Sequence, residues 1–64
     1  MILSVVIPVF NEEESIIKTL DRVFISASSL NSEFEVIIVN DGSTDKTLDL
    51  LQEYKATNEA LRII

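Results

Sequence analysis

The chain has 64 residues, and its five Lys/Arg against eleven Asp/Glu give a formal net charge of −6. It contains no cysteine and no histidine, which excludes disulfides, thiolate zinc sites and histidine-based acid–base catalysis within these residues. So acidic a surface is a poor partner for nucleic acid, and an apolar fraction of 47% is too high for intrinsic disorder. We therefore expect a small folded unit that works with carboxylates, hydroxyls, amides and backbone groups.

The apolar stretches are too short for a membrane-spanning helix, which needs about 18 residues or more. The longest are Val5–Phe10 and Val36–Val39. The first three residues carry no basic group, and no small-residue cleavage site follows them, so the pattern does not predict a secretory signal. A cytoplasmic location is the simplest expectation.

The first half of the chain predicts a strand followed by a helix. Ile2–Ile7 is a β-branched apolar run of the kind found in strands buried on both faces of a parallel sheet, and we expect Pro8 to end it. Asn11 is the expected N-cap of a helix, with Glu14 at the spacing of a capping box. The inward stripe of this helix comprises Ile16, Ile17, Leu20, Val23, Phe24 and Ala27. Serines from Ser26 onward, with Asn31 and Ser32, mark its end.

The second half repeats this order. Phe34–Val39 reads as a second buried strand, and 40–45 as a turn cluster. There Ser43 or Thr44 is expected to cap a second helix, with Asp45 in its first turn. Leu48, Leu51 and Tyr54 form its inward stripe, Thr57-Asn58 ends it, and 61–64 begins a third strand. The order β-α-β-α-β predicts an α/β fold with a three-layer, Rossmann-like parallel sheet. Because such a piece leaves sheet edges and apolar surface uncovered, we expect an isolated 64-residue chain to self-associate.

Ligands of open α/β sheets bind at the carboxyl ends of the strands, where helix N-termini also favour negative charge. Two loops follow strand ends here: 8–12 and 40–43. An exposed Phe10 could stack on a base, and Asp41 could accept hydrogen bonds, but each could equally be a core or turn residue. Their joint placement at neighbouring strand ends indicates a small-molecule site.

Three common nucleotide or signalling folds do not fit. The single glycine, Gly42, follows the second strand, so both the dinucleotide-binding glycine motif and the phosphate-binding P-loop are excluded. A receiver-type signalling domain needs its acidic pair directly after the first strand, where this chain has Pro8-Val9-Phe10.

Two motifs together carry a family resemblance. Ser4–Glu14, SVVIPVFNEEE, is followed about 25 residues later by Phe34–Asp45, FEVIIVNDGSTD. The pair resembles the start of family 2 glycosyltransferases, and the Asn-Glu-Glu-Glu variant is most similar to the subgroup that transfers sugars to polyprenyl phosphates. The resemblance implies the N-terminal nucleotide-binding portion of a GT-A domain over residues 1–64, with the rest of the domain beyond it.

The resemblance also implies site roles. Pro8 and Phe10 would line the nucleobase pocket, Glu12 would contact the nucleoside, and Val39 would contribute from the end of the second strand. Asp41 would accept a hydrogen bond from the imide N–H of uracil or the N1/N2 donors of guanine. The family often has tyrosine where Phe10 stands.

Catalytic parts of the family pattern do not occur in these residues. The Asp-x-Asp motif that holds a divalent cation, Mg²⁺ or Mn²⁺, is absent, since Asp41, Asp45 and Asp49 have the wrong spacing. We expect a longer enzyme that takes a UDP- or GDP-sugar donor, a polyprenyl phosphate acceptor and no nucleic acid, at the inner face of the cytoplasmic membrane. The alternative is a non-catalytic α/β nucleotide-binding or regulatory module, which would lack an Asp-x-Asp further along the chain.

Overall fold

The computed structural model describes residues 2–30 and 33–64, arranged as a three-stranded parallel sheet with two helices. The strand order is β1-β2-β3, so the α/β class and the parallel sheet predicted from the sequence are confirmed. The elements in chain order are β1 (Ile2–Val9), α1 (Ile16–Ser28), β2 (Glu33–Asn40), α2 (Thr47–Thr57) and β3 (Leu61–Ile63). Asn31 and Ser32, expected in the loop after α1, lie outside the described residues.

One face of the sheet carries the core. Val36 and Ile38 of β2 pair in register with Val5 and Ile7 of β1, and Leu61 of β3 pairs with Val36. Side chains alternate along a strand, so these positions share a face, and α1 and α2 cover it. The fully packed cluster comprises Val9, Ile16, Leu20, Val36, Ile38, Leu51 and Leu61.

The opposite face, which we call the bare face, is open to solvent among the described residues. Val6 is 60% exposed and Ile64 75% exposed, whereas Ile37 of the central strand is half-buried. Both helices lie on the other side because two right-handed crossovers that step in the same direction place their helices on one face. The sequence predicted strands covered on both faces, but among the described residues the helices cover only one face of the sheet. Self-association of the isolated chain through this surface stays a prediction, which sedimentation at increasing concentration tests.

The predicted end of the first strand was wrong by two residues. Pro8 lies inside β1 and pairs with Val39. The Asp41 N–H donates to the Val9 carbonyl at 2.9 Å, so Val9 directs its backbone groups toward β2 and Pro8 directs its nitrogen away. A proline is tolerated there because the missing N–H faces an unpaired edge.

The predicted caps of both helices were also wrong. Helix α1 begins at Ile16 after Ser15, with no acidic residue in its first turn, so Asn11 is no cap and 12–14 precede the helix. Residues 12–15 form a turn before α1, in which the Ser15 and Ile16 N–H groups both donate to the Glu12 carbonyl, at 3.1 and 2.8 Å. Helix α2 begins at Thr47 after Lys46 rather than after Ser43 or Thr44.

Aromatic packing closes the amino half of the sheet. Phe24 of α1 contacts Phe34 of β2 edge-to-face at 5.5 Å between ring centroids, and Tyr54 of α2 at 5.6 Å. The Tyr54 hydroxyl donates to Asp21 Oδ1 at 2.8 Å. Burial of the ring, followed by this bond to a carboxylate, raises the pKa of Tyr54 to about 12.

No helix within residues 2–30 and 33–64 is long and apolar enough to cross a membrane.

Candidate functional site at the carboxyl edge of the sheet

Four of the five site residues predicted from the sequence meet at the carboxyl ends of β1 and β2. Pro8 and Val39 are register partners on the bare face, and Phe10 and Asp41 each follow two residues later, just past the ends of the two strands. Phe10 is 58% exposed, Val39 is 37% exposed, and the Asp41 side chain is also open to solvent. The edge therefore presents a ring, a carboxylate and two small apolar side chains to solvent.

Glu12, the fifth predicted residue, lies further from this group along the chain. Its backbone N–H donates to the Thr47 hydroxyl oxygen at 2.9 Å, and its carbonyl closes the turn before α1. Its side chain is exposed. The backbone of Glu12 thus has a structural role, and its carboxylate is free to meet a ligand.

Asn11 connects the two loops. Its Oδ1 accepts hydrogen bonds from the N–H groups of Thr44 at 2.7 Å and Asp45 at 3.4 Å, and its own N–H donates to Ser43 Oγ at 3.0 Å. The backbone of Asn11 is in the left-handed region, with φ of 48°. Asparagine adopts this region more readily than most residues, which lets the chain turn sharply after Phe10 while the side chain reaches the next loop.

Asp45 makes a second connection. Its Oδ2 accepts from the Glu13 N–H at 3.3 Å, and its Oδ1 accepts from the Thr47 N–H at 2.9 Å and from the Thr47 hydroxyl. The hydrogen bond from that hydroxyl, together with the bonds from backbone N–H groups, lowers the pKa of the Asp45 carboxyl below its usual range, and these bonds outweigh partial desolvation. Asp45 is therefore held as a carboxylate that accepts from both loops.

Thr47 anchors this arrangement to the core. Its side chain is fully buried, and its hydroxyl both accepts from the Glu12 N–H and donates to Asp45. We call Asn11, Asp45 and Thr47 the loop clamp. The sequence interpretation assigned Asn11 and Asp45 to helix starts and missed the clamp. The signal available was that both motifs follow neighbouring parallel strands, so their polar side chains must come close together.

Within 2–30 and 33–64, no three Asp or Glu side chains come close enough together to hold a metal ion. Both Asp45 oxygens already accept hydrogen bonds from N–H groups of the two loops. The Asp45 carboxylate is therefore engaged in hydrogen bonds within the chain.

Two clefts on the described surface lie away from this edge. One is lined by residues at the amino ends of the strands, among them Phe34, Glu35 and Arg62, and the other runs between β1 and α1 past Val5 and Val23. Neither includes any of the predicted site residues. The candidate site is thus an open edge in this part of the chain, which a bound ligand would contact from the side of the bare face.

Known proteins with similar sequences agree with the motifs. The family profile described as "Glycosyl transferase family 2" matches residues 4–64. Three curated relatives are each named undecaprenyl-phosphate 4-deoxy-4-formamido-L-arabinose transferase. The one from Proteus mirabilis (strain HI4320) is 50% identical over 50 residues, which is 78% of this chain and 15% of the relative.

The other two relatives match at similar levels. The protein of Photorhabdus laumondii subsp. laumondii is 48% identical over 48 residues, 75% of this chain and 15% of its own length. That of Pseudomonas paraeruginosa (strain DSM 24068 / PA7) is 47% identical over 51 residues, 80% of this chain and 15% of its own. The chain thus spans about 15% of the length of these relatives. With the profile match over nearly all residues, the chain belongs to glycosyl transferase family 2.

Proposed function

We propose that this chain supplies the nucleoside-binding part of an enzyme that transfers a sugar from a nucleotide-sugar donor to a polyprenyl phosphate. The observation that carries the proposal is the meeting of Pro8, Phe10, Val39 and Asp41 at one carboxyl edge. That edge is where open α/β sheets bind their ligands. Family membership and the printed names of the relatives support sugar transfer and an undecaprenyl phosphate acceptor.

Each residue at the edge has a distinct role in this proposal. The exposed Phe10 ring stacks on the base, an interaction worth about 1–3 kcal/mol in other nucleotide complexes. Asp41 accepts a hydrogen bond from a base N–H, which selects bases with a donor at that position. Pro8 and Val39 give the base an apolar floor on the bare face, and the Glu12 carboxylate contacts the nucleoside.

We assign the remaining parts of the reaction to the rest of the full-length protein. We place the divalent cation expected from the family resemblance, Mg²⁺ or Mn²⁺, there, because the family's Asp-x-Asp motif does not occur in this sequence. The acceptor site and any catalytic base are placed there too. The chain's own contribution is to bind and orient the nucleoside.

The test is binding of UDP and GDP to the full-length protein that carries this chain, measured by calorimetry. Asp41→Ala should weaken the preferred nucleotide about tenfold or more, because a buried base N–H loses its acceptor. Glu59→Ala, which removes an exposed carboxylate beside the amino end of β3, is the control and should change affinity less than about twofold.

The transfer step needs its own assay, in which a radiolabelled sugar moves from the donor to undecaprenyl phosphate in detergent. Unchanged nucleotide affinity in Asp41→Ala would contradict the assignment of the base reader. Nucleotide binding without transfer to any polyprenyl phosphate would instead favour the alternative of a non-catalytic nucleotide-binding module.

A further inference from the structure

We propose that the loop clamp is a positioning device: Asn11 and Asp45 hold the loop of Asp41 at the distance from Phe10 that a nucleoside requires. The inference rests on the proposed function, since it names residues that act on the donor through others. Neither Asn11 nor Asp45 needs to touch the nucleotide.

The clamp hydrogen bonds run from backbone N–H groups of one loop to side-chain oxygens of the other. Bonds of this kind fix the position of one loop relative to the other. Asn11 accepts from the N–H groups of Thr44 and Asp45, and Asp45 accepts from the N–H of Glu13. These bonds connect positions 32 to 34 residues apart in sequence. A side chain that fixes backbone N–H groups restricts the main chain itself, so the loops cannot separate without breaking several bonds together.

The loop that carries Asp41 is held at each end by different means. At its start, the Asp41 N–H donates to the Val9 carbonyl, as a continuation of the sheet. At its end, Thr44 is held by Asn11. Between them Gly42 has a φ of 75° and no atom within 4 Å of where a Cβ would be, so little packing holds the middle of the loop. Within the loop the Ser43 N–H donates to Asn40 Oδ1 at 3.4 Å, and it is Asn11 that connects the end of this loop to the first loop.

A loop that is ordered before the ligand arrives binds it more tightly, because the entropy of ordering has already been lost on folding. Loss of the clamp should leave the Asp41 N–H bonded to the Val9 carbonyl but free the segment around its side chain, so that the Asp41 carboxylate is no longer held in one orientation toward Phe10. The nucleotide would then have to order this segment on binding, and its affinity would fall without the loss of any direct contact.

The experiment uses three substitutions of Asn11 and Asn58 in the full-length protein, with UDP and GDP as probes. Asn11→Gly keeps the left-handed backbone accessible but removes the acceptor, and Asn11→Asp keeps both. We expect nucleotide affinity about fivefold to tenfold weaker in Asn11→Gly and within about twofold of wild type in Asn11→Asp. Asn58→Gly, the same change in the loop before β3, is the matched control and should leave affinity unchanged.

Two further readouts separate positioning from a general loss of stability. Hydrogen exchange should accelerate at the Thr44 and Asp45 amides in Asn11→Gly, while the amides of β2 stay protected. In a double-mutant cycle, Asp41→Ala in the Asn11→Gly background should bind no more weakly than Asp41→Ala alone, since Asn11 acts through Asp41. Additive losses would show that Asn11 affects nucleotide binding independently of Asp41, and would overturn the inference.

The failure of each proposal has a different signature. Full nucleotide affinity in Asn11→Gly, with Asp41→Ala weakened, overturns the positioning role and leaves the proposed function standing. Full affinity in Asp41→Ala overturns the assignment of Asp41 as the base reader and, with it, the positioning role. Absence of UDP and GDP binding to the wild-type protein overturns the proposed function. If Asn11→Gly does not fold, Asp45→Asn, which weakens the second connection, takes its place with the same expected loss.

Discussion

The two ends of the sheet are held together by different forces. At the amino half, Phe24, Phe34 and Tyr54 pack ring against ring. The polar contacts there join side chain to side chain: Tyr54 to Asp21, Ser4 to Glu35, and Glu35 to Arg62, whose side chain is 72% exposed. At the carboxyl edge, polar side chains bind backbone N–H groups across loops, and the ring of Phe10 is left open to solvent.

The side chains that stabilise the fold therefore lie at the amino half of the strands, and those proposed to bind the nucleotide lie at the carboxyl edge. Apolar packing is non-directional and tolerates small shifts, so it suits the end whose task is to hold α1, β2 and α2 together. Hydrogen bonds to backbone N–H groups are directional, so they suit the end where two loops must keep a fixed separation. We therefore expect changes at the amino half to reduce stability, and changes at the carboxyl edge to reduce nucleotide binding.

The largest effect on stability is expected from Phe24→Ala at the amino half. The ring contacts both Phe34 and Tyr54 and is half-buried, so its removal should lower the free energy of unfolding by about 2–4 kcal/mol. Denaturant unfolding of the full-length protein measures this loss. UDP and GDP affinity at low temperature, where the variant stays folded, should remain at the wild-type level. A comparable loss of affinity would mean that the two ends are not separate.

Phe10→Ala tests the carboxyl edge, where we expect a loss of nucleotide affinity with little loss of stability. Because the ring is 58% exposed, its removal should change the free energy of unfolding by less than about 1 kcal/mol. Nucleotide affinity should fall by about 1–2 kcal/mol, through loss of base stacking. Phe10→Tyr, which keeps the ring, is the matched control and should bind nearly as well as wild type. Equal binding by Phe10→Ala and wild type would remove Phe10 from the site.

The smallest effect is the response of the amino half to alkaline pH. The pKa of Tyr54 is raised to about 12 from a usual value of 10.0, so the folded state favours the neutral phenol. The resulting stabilisation is fully present below pH 10 and is lost as the pH rises from about 10 toward 12. Thermal unfolding between pH 8 and about 12 should show a fall in stability that Tyr54→Phe reduces. A fall of equal size in both proteins would assign it to other groups.

The sequence by itself determined the order of elements and the chemistry of the strand ends. Alternating apolar runs and amphipathic stripes are local patterns, and they placed Val36, Ile38 and Leu20 in the core correctly. The α/β order then fixed which loops share an edge, so Pro8, Phe10, Val39 and Asp41 could be assigned to one site from position alone. Paired motifs at the right separation also indicated the family.

Only the tertiary structure decided what Asn11, Asp45 and Thr47 do. The local sequence pattern predicted that Asn11 caps a helix and that Asp45 lies in a first helical turn, since both residue types are common at helix starts. Their actual partners lie 32 to 34 residues away, apart from the local bonds between Asp45 and Thr47, and such partners depend on how the sheet brings two loops together. Local sequence rules carry no information about such distant pairs, whereas the folded backbone places an amide N–H within 2.7 Å of the Asn11 oxygen.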